Sequence, residues 1–233
     1  FHEWKEYLAF LRDTTAKPVV DCSKVERRRP HDYSFVQDMA TILHLIKKQP
    51  VTLNTKGYAS IASKCEELGE NTGYLEQVIR KLRLLKLAEI VDNKLQILND
   101  SHEWLEMRLE SRALYLYRHP LNSLASADLP PALASEKIIR EVEKSITRVL
   151  HTGWVLFDDF IKGVLVSITD TPIALKKIGK NWRYTLPEYN TEERVLIYAV
   201  IFEWLMEAGI TATGVYEGQD CFSVTSFGQS LFG

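Results

Sequence analysis

Residues 74–98 read YLEQVIRKLRLLKLAEIVDNKLQIL, and the order of elements in the first half of the chain follows from them. Their apolar residues fall at offsets of 0, 3, 4, 7 and 10, which is one face of a helix: Leu75, Val78, Ile79, Leu82 and Leu85. Two short β-like runs, 89–91 and 94–98, then flank the turn pair Asp92-Asn93. The stretch predicts a helix over 74–87 that runs into a β-hairpin.

Two helices and a short extended segment precede this stretch. Residues 34–48 carry one apolar stripe, formed by Phe35, Met39, Ile42, Leu43 and Ile46. After the short β-like run 51–53, a second helix is predicted over 58–68. The order helix, helix, helix, hairpin is that of a winged helix-turn-helix unit.

The second half repeats the plan in looser form. After a linker helix over 101–118, two helices are predicted over 135–151 and 156–167, and the segment 169–187 is predicted to be irregular. A long helix begins at Asn190, with Glu193 at the capping-box position, and ends at Gly209. A hairpin over 210–216 and 221–225 follows. Because 84–90 (LLKLAEI) and 204–210 (WLMEAGI) read alike, we interpret the halves as two related units.

The predicted fold class is therefore mainly α with short β-hairpins, arranged as two winged helix-turn-helix-like units. The predicted organisation is an N-terminal arm or helix over 1–33, unit 1 over 34–100, a linker helix and loop over 101–134, and unit 2 over 135–233.

Basic residues of unit 1 are the leading candidates for phosphate contacts. The third helix displays Arg80, Lys81, Arg83 and Lys86 away from its apolar stripe, and Lys94 lies in the hairpin. In helix-turn-helix proteins one helix enters the major groove, and many of the other contacts go to the phosphate backbone. A solvated helix face is the alternative explanation for the same residues.

A second basic run, Arg27-Arg28-Arg29, precedes the first helix and is predicted to be a phosphate-binding arm, with an exposed linker as the alternative. The long helix of unit 2 has the opposite character, because it carries Glu192, Glu193, Glu203 and Glu207 with Arg194 as its only cation. Four carboxylates repel phosphate at short range, so a protein contact fits this helix better.

Composition and motifs limit the classes of function that the chain can have. The 29 basic and 31 acidic residues leave a net charge of −2, so any nucleic-acid site is a local patch. The three cysteines are far apart in the sequence and form no metal-ligand pattern, and no phosphate loop, nucleophile elbow or HExxH motif occurs. The pair Asp158-Asp159 is interpreted as exposed or capping. We predict no catalysis, cofactor, metal or small-molecule substrate, no membrane segment, and a cytoplasmic protein.

The three tryptophans of the second half, Trp154, Trp182 and Trp204, have two interpretations. Aromatic rings stack on bases in single-strand-binding proteins. Trp154 and Trp204 lie within apolar patterns, however, which favours a role in the core.

Several of these features resemble a known family. The run 43–68 with Pro50-Val51-Thr52-Leu53 and Lys56-Gly57, the helix that ends at Leu87, and the closing LNDSHEWL of 98–105 resemble the N-terminal winged-helix region of bacterial XPB-type helicases. The tail 203–231 is similar to the corresponding close of that region. The resemblance implies a helicase-associated DNA accessory unit without the motor. Tandem winged-helix replication initiators and the kleisin-associated subunit of condensin are also similar in plan.

The sequence therefore predicts a non-catalytic nucleic-acid-binding accessory module, helicase- or replication-associated, with DNA and a helicase as the expected partners. The alternative is a protein-interaction or scaffold module of the condensin-subunit type without DNA binding. That module would use the surface near Trp182-Arg183-Tyr184 or the hairpin around Tyr216. A fold of this type serves both uses.

Overall fold

The structure is a computed structural model that describes residues 4–9, 16–65, 72–119, 135–164, 168, 174–185 and 188–233. The chain divides into two compact units. The first unit comprises Tyr33–His119 with Glu207–Gly209, and the second comprises Phe1–Asp32, Pro120–Met206 and Ile210–Gly233. The predicted class, mainly α with short hairpins, is confirmed.

Both units contain helices and short strands. The α-helices with described bounds are Ser34–Lys48, Thr55–Ala62, Thr72–Leu84, Asp100–Glu106, Leu109–Arg118, Glu136–Lys144, Phe157–Lys162, Thr191–Ala199 and Ser226–Phe232. The strands are β1 Glu26–Arg27, β2 Val51–Thr52, β3 Ala88–Val91, β4 Lys94–Ile97, β5 Val155–Leu156, β6 Ala174–Ile178, β7 Asn181–Thr185, β8 Thr211–Tyr216 and β9 Gln219–Val224.

The first unit packs three helices on a sheet of order β2-β4-β3. The helix Ser34–Lys48 has the predicted bounds, and every residue of its predicted stripe is buried. The same holds for the stripe of the third helix, Thr72–Leu84. Asp92 and Asn93 have φ of 50° and 60°, which is the left-handed geometry of a two-residue type I′ hairpin. The predicted first hairpin is confirmed.

The predicted linker helix 101–118 differs from the structure in two ways. It is two helices, Asp100–Glu106 and Leu109–Arg118, separated by extended backbone at Met107 and Arg108. Both belong to the first unit, which therefore extends beyond residue 100. The physical reason is burial: Trp104, Ala113 and Leu116 are almost fully removed from solvent.

The second unit is built around a sheet of order β1-β8-β9-β5. Its third helix begins at the predicted capping box of Asn190 and Glu193 and continues into a wider π-helical turn, Val200–Leu205. A π turn leaves carbonyl groups without their usual helical donors. The Thr211 hydroxyl donates to the Ile201 carbonyl at 2.7 Å and so satisfies one carbonyl of this turn.

The N-terminal arm is part of this sheet. Within it, β1 pairs with β8 through Glu26↔Val215 and Arg27↔Gly214. Val19 is buried, and its N–H donates to the Trp154 carbonyl at 2.8 Å. The prediction of a separate arm over 1–33 therefore does not hold for residues 18–27. These residues pack on the second unit, where they supply an edge strand and a buried apolar side chain.

The two units close their third helices with the same hydrogen bonds. Leu87 N–H donates to the Leu82 carbonyl in the first unit, and Ile210 N–H donates to the Leu205 carbonyl in the second. Each bond spans five residues and is the outer bond of a Schellman motif. In each unit the short strand after the first helix also pairs with the last strand, β2 with β4 and β5 with β9.

One prediction about the second unit was wrong. Residues 169–187 were predicted to be irregular, but 174–185 form the antiparallel hairpin β6-β7. Gly179, with φ of 64°, supplies the left-handed residue that its tight turn requires. The predicted interdomain loop 122–134 and the helix ends at 66–68 and 165–167 lie outside the described residues.

Candidate nucleic-acid interface

Lys81 is not part of an exposed basic face. Its Nζ lies 3.0 Å from Glu207 Oε2, and the two side chains are 3% and 1% exposed. Gln77 Nε2 also donates a hydrogen bond to Glu207. Burial raises the pKa of Glu207, and the Lys81 ammonium acts in the opposite direction. The prediction that Lys81 contacts phosphate is therefore corrected: an ion pair inside the first unit uses its charge.

The other basic side chains predicted on the third helix differ in their exposure to solvent. Arg80 is half-buried, whereas Arg83 and Lys86 are exposed. Lys86 lies just beyond the helix with φ of 56°, because the Schellman closure requires a left-handed residue there. The helix therefore ends at Leu84 rather than at residue 87 as predicted.

Lys94 opens strand β4, opposite Val91 and Thr52 in the register of the three-stranded sheet. Its side chain is exposed. Three of the five cations predicted on this unit, Arg83, Lys86 and Lys94, thus remain on the surface.

The predicted phosphate-binding arm is largely engaged inside the second unit. Arg27 pairs with Asp32 at 2.5 Å and lies over the Trp154 ring at 5.9 Å. Arg29 is exposed. A free arm is not what the structure shows, because Arg27 lies on the edge strand β1.

Arg28 contacts three side chains of the second unit. It donates to the Tyr198 hydroxyl at 2.8 Å and to Asp220 Oδ1 at 2.5 Å, and its guanidinium lies 5.4 Å from the Phe202 ring centroid. Burial lowers the pKa of Arg28, but the hydrogen bonds and charges of Tyr198 and Asp220 outweigh burial and raise it overall. Arg28 therefore holds elements of this unit together.

The acidic face predicted on the long helix of the second unit is also mostly absent from the surface. Glu193 is 3% exposed because its carboxylate caps the helix by accepting from Asn190 N–H. Glu207 is buried beside Lys81, and Glu203 is half-buried. Glu192 remains exposed. The helix therefore presents too few exposed carboxylates to repel phosphate as predicted.

The hairpin β6-β7 is the feature that sequence reasoning missed. Its register pairs Lys176 with Arg183 and Lys177 with Trp182, and Lys180 lies at the turn. Lys177 and Lys180 are exposed. The signal that could have revealed it is the turn residue Gly179 between two short runs that contain β-prone residues.

The remaining candidate residues have structural roles. Trp204 is 2% exposed and donates a hydrogen bond to the buried Glu143, which confirms its predicted place in the core. Trp154 is half-buried, and the side chain of Trp182 lies outside the described part of the chain. The acidic pair makes surface ion pairs, Asp158 with Arg194 and Asp159 with Lys162.

The two buried thiols are poor nucleophiles. Burial, together with the neighbouring Asp38, raises the pKa of Cys65 to about 12. Burial likewise raises the pKa of Cys221 to about 11. Both side chains are therefore protonated at neutral pH, and a thiolate is the form that reacts. In the described part of the chain, no group of three or more His, Cys, Asp or Glu side chains is placed to hold a metal ion.

Among the helices that the structure describes, none combines the length and the apolar character needed to cross a bilayer. No protein-family model, curated protein or solved structure matches the chain.

Proposed function

We propose that this chain is a non-catalytic module of two winged-helix units that binds nucleic acid, with its first contact surface on the first unit. The element order and the sheet order β2-β4-β3 support a winged helix, in which β3-β4 is the wing. The observation that carries the proposal is the exposure of Arg83, Lys86 and Lys94 at the end of the third helix and on that wing.

These three cations replace the larger set predicted from the sequence. Lys81 is excluded because Glu207 neutralises it, and Arg80 is only partly accessible. Phosphate contacts provide affinity and register without reading base sequence. We therefore propose a weak, salt-sensitive contact that supports a partner, and the resemblance to XPB-type helicases makes a helicase the expected partner.

Fluorescence anisotropy with labelled duplex DNA at several salt concentrations tests the proposal. The variant Arg83→Ala, Lys86→Ala, Lys94→Ala should reduce the slope of log K against log[salt] by about 2.7, since each neutralised phosphate contributes about 0.9. The matched control is Lys47→Gln, Lys48→Gln, Lys64→Gln, which removes three exposed cations elsewhere on the unit. Equal slopes for the two variants would reject the proposed surface.

A protein partner is the second candidate function. Leu84 and Val91 are 41% and 42% exposed, and they lie on the third helix and on the wing. Large apolar side chains beside exposed cations also suit a protein interface. If the wild-type chain binds neither duplex nor single-stranded DNA at micromolar concentration and low salt, this second function replaces the first.

A further inference from the structure

The hairpin β6-β7 is a local concentration of positive charge in the second unit. Residues 174–185 contain Lys176, Lys177, Lys180 and Arg183 and no acidic residue. Because the whole chain has a net charge of −2, the residues outside the hairpin carry −6. The hairpin is therefore a basic element on a chain that is otherwise acidic.

Its backbone geometry distributes these charges around a ribbon. Directly paired residues of an antiparallel ladder lie on the same face, and successive residues alternate between faces. Lys176 and Arg183 therefore share one face, and Lys177 and Trp182 share the other. Lys180 occupies the turn, so basic residues lie on both faces and at the tip.

The ribbon stands apart from the other sheets. It forms a two-stranded sheet of its own, and no other strand that the structure describes pairs with either of its edges. It is inserted between the second helix of this unit, Phe157–Lys162, and the third, Thr191–Ala199. Two paired strands lie about 4.8 Å apart, so such a ribbon is narrow.

We propose that the β6-β7 hairpin binds duplex DNA by entering the major groove as a two-stranded ribbon. The major groove of B-DNA is about 12 Å wide and admits such a ribbon, and both of its walls are lined with phosphates. Cations on both faces and at the tip match that distribution of negative charge. The major groove of A-form RNA is deep and narrow, so the same fit selects DNA over duplex RNA.

The hairpin would give the module a second contact with DNA. This inference rests on one part of the proposed function, namely that the chain binds nucleic acid. It also accounts for how a unit with an acidic long helix can approach a polyanion. Most of those carboxylates are buried or used in caps and ion pairs, and the hairpin places cations at another position in the unit.

The test compares four full-length proteins by anisotropy on duplex DNA, single-stranded DNA and duplex RNA across a salt series. They are the wild type, the first-unit variant with Arg83, Lys86 and Lys94 changed to Ala, a hairpin variant, and a control. The hairpin variant is Lys176→Thr, Lys177→Thr, Lys180→Asn, Arg183→Thr, which keeps residues compatible with strands and the turn. The control is Lys24→Gln, Lys137→Gln, Lys144→Gln, Lys162→Gln, which removes the same charge from exposed positions of the second unit.

The hairpin variant is expected to bind duplex DNA at least about tenfold more weakly at low salt, with a slope lower by about 3.6 if all four cations meet phosphate. The control should retain most of the wild-type affinity. Circular dichroism and thermal melting check that the variant folds. If it does not, Lys177→Glu with Lys180→Glu, at exposed positions beside the turn, replaces it and should weaken duplex binding further.

The outcomes separate the two proposals. A hairpin variant that matches the control overturns the hairpin proposal, whatever the first-unit variant does. A first-unit variant that matches the wild type, beside a weakened hairpin variant, rejects the first surface and supports the hairpin. Equal losses on single-stranded DNA or duplex RNA would overturn groove entry, because those ligands lack a B-form major groove.

Discussion

Lys81 Nζ and Glu207 Oε2 lie 3.0 Å apart, and both side chains are almost completely buried. Gln77 adds a hydrogen bond to the same carboxylate. This one pair changes the predicted surface charge in two ways. It removes a cation from the surface proposed to contact phosphate, and it removes a carboxylate that was expected to repel it.

Breaking this pair from one side should be costly. A buried charge left without its partner destabilises a protein by about 3–5 kcal/mol, so Lys81→Met and Glu207→Leu should each lower the free energy of unfolding strongly. The double variant Lys81→Met, Glu207→Leu should recover much of the loss, because no charge then remains buried. Urea unfolding measures this double-mutant cycle. Additive losses would mean that the two side chains do not act as a pair.

Lys86 allows stability and binding to be separated. A non-glycine residue in the left-handed region costs about 1 kcal/mol, so Lys86→Gly should stabilise the first unit by about that amount. The same change removes one proposed phosphate contact and should reduce the salt slope by about 0.9. Lys86→Ala is the control, since it removes the charge without relieving the backbone. Thermal melts and anisotropy together give both values.

Arg28 should matter for stability and not for DNA. Its guanidinium bridges Tyr198 and Asp220 and lies over Phe202, with the Arg28 and Asp220 side chains 39% and 35% exposed. Because solvent screens such a pair, Arg28→Gln should destabilise the second unit by only about 1 kcal/mol. Affinity for duplex DNA should stay at the wild-type value in anisotropy. A fall in affinity without loss of stability would instead support the prediction that Arg28 contacts phosphate.

Thr211 tests the π-helical turn of the second unit. Its hydroxyl is buried and donates to the Ile201 carbonyl, which the wider helical turn leaves available. Thr211→Val keeps the shape and removes the donor, so it should lower the free energy of unfolding by about 1–3 kcal/mol. Thr211→Ser keeps the hydroxyl and should retain this hydrogen bond. If both substitutions cost the same, the hydrogen bond is not the source of the stability.

The amino-acid sequence alone determined the local elements whose signals are short-range. The apolar stripe of 34–48, the turn Asp92-Asn93, and the capping pair Asn190 and Glu193 all lie where the pattern placed them. Helical periodicity, left-handed turn residues and helix caps depend on residues a few positions apart, and a sequence displays these spacings directly.

Only the tertiary structure decided which charged side chains reach solvent. Lys81 is paired with Glu207, 126 positions away, and Arg28 with Asp220, 192 positions away. The spacing of a basic residue beside an apolar stripe is the same whether its side chain is buried against a distant carboxylate or exposed to water. Burial of a charge depends on a partner brought in by the fold, and for that reason the surface for binding could not be identified from spacing.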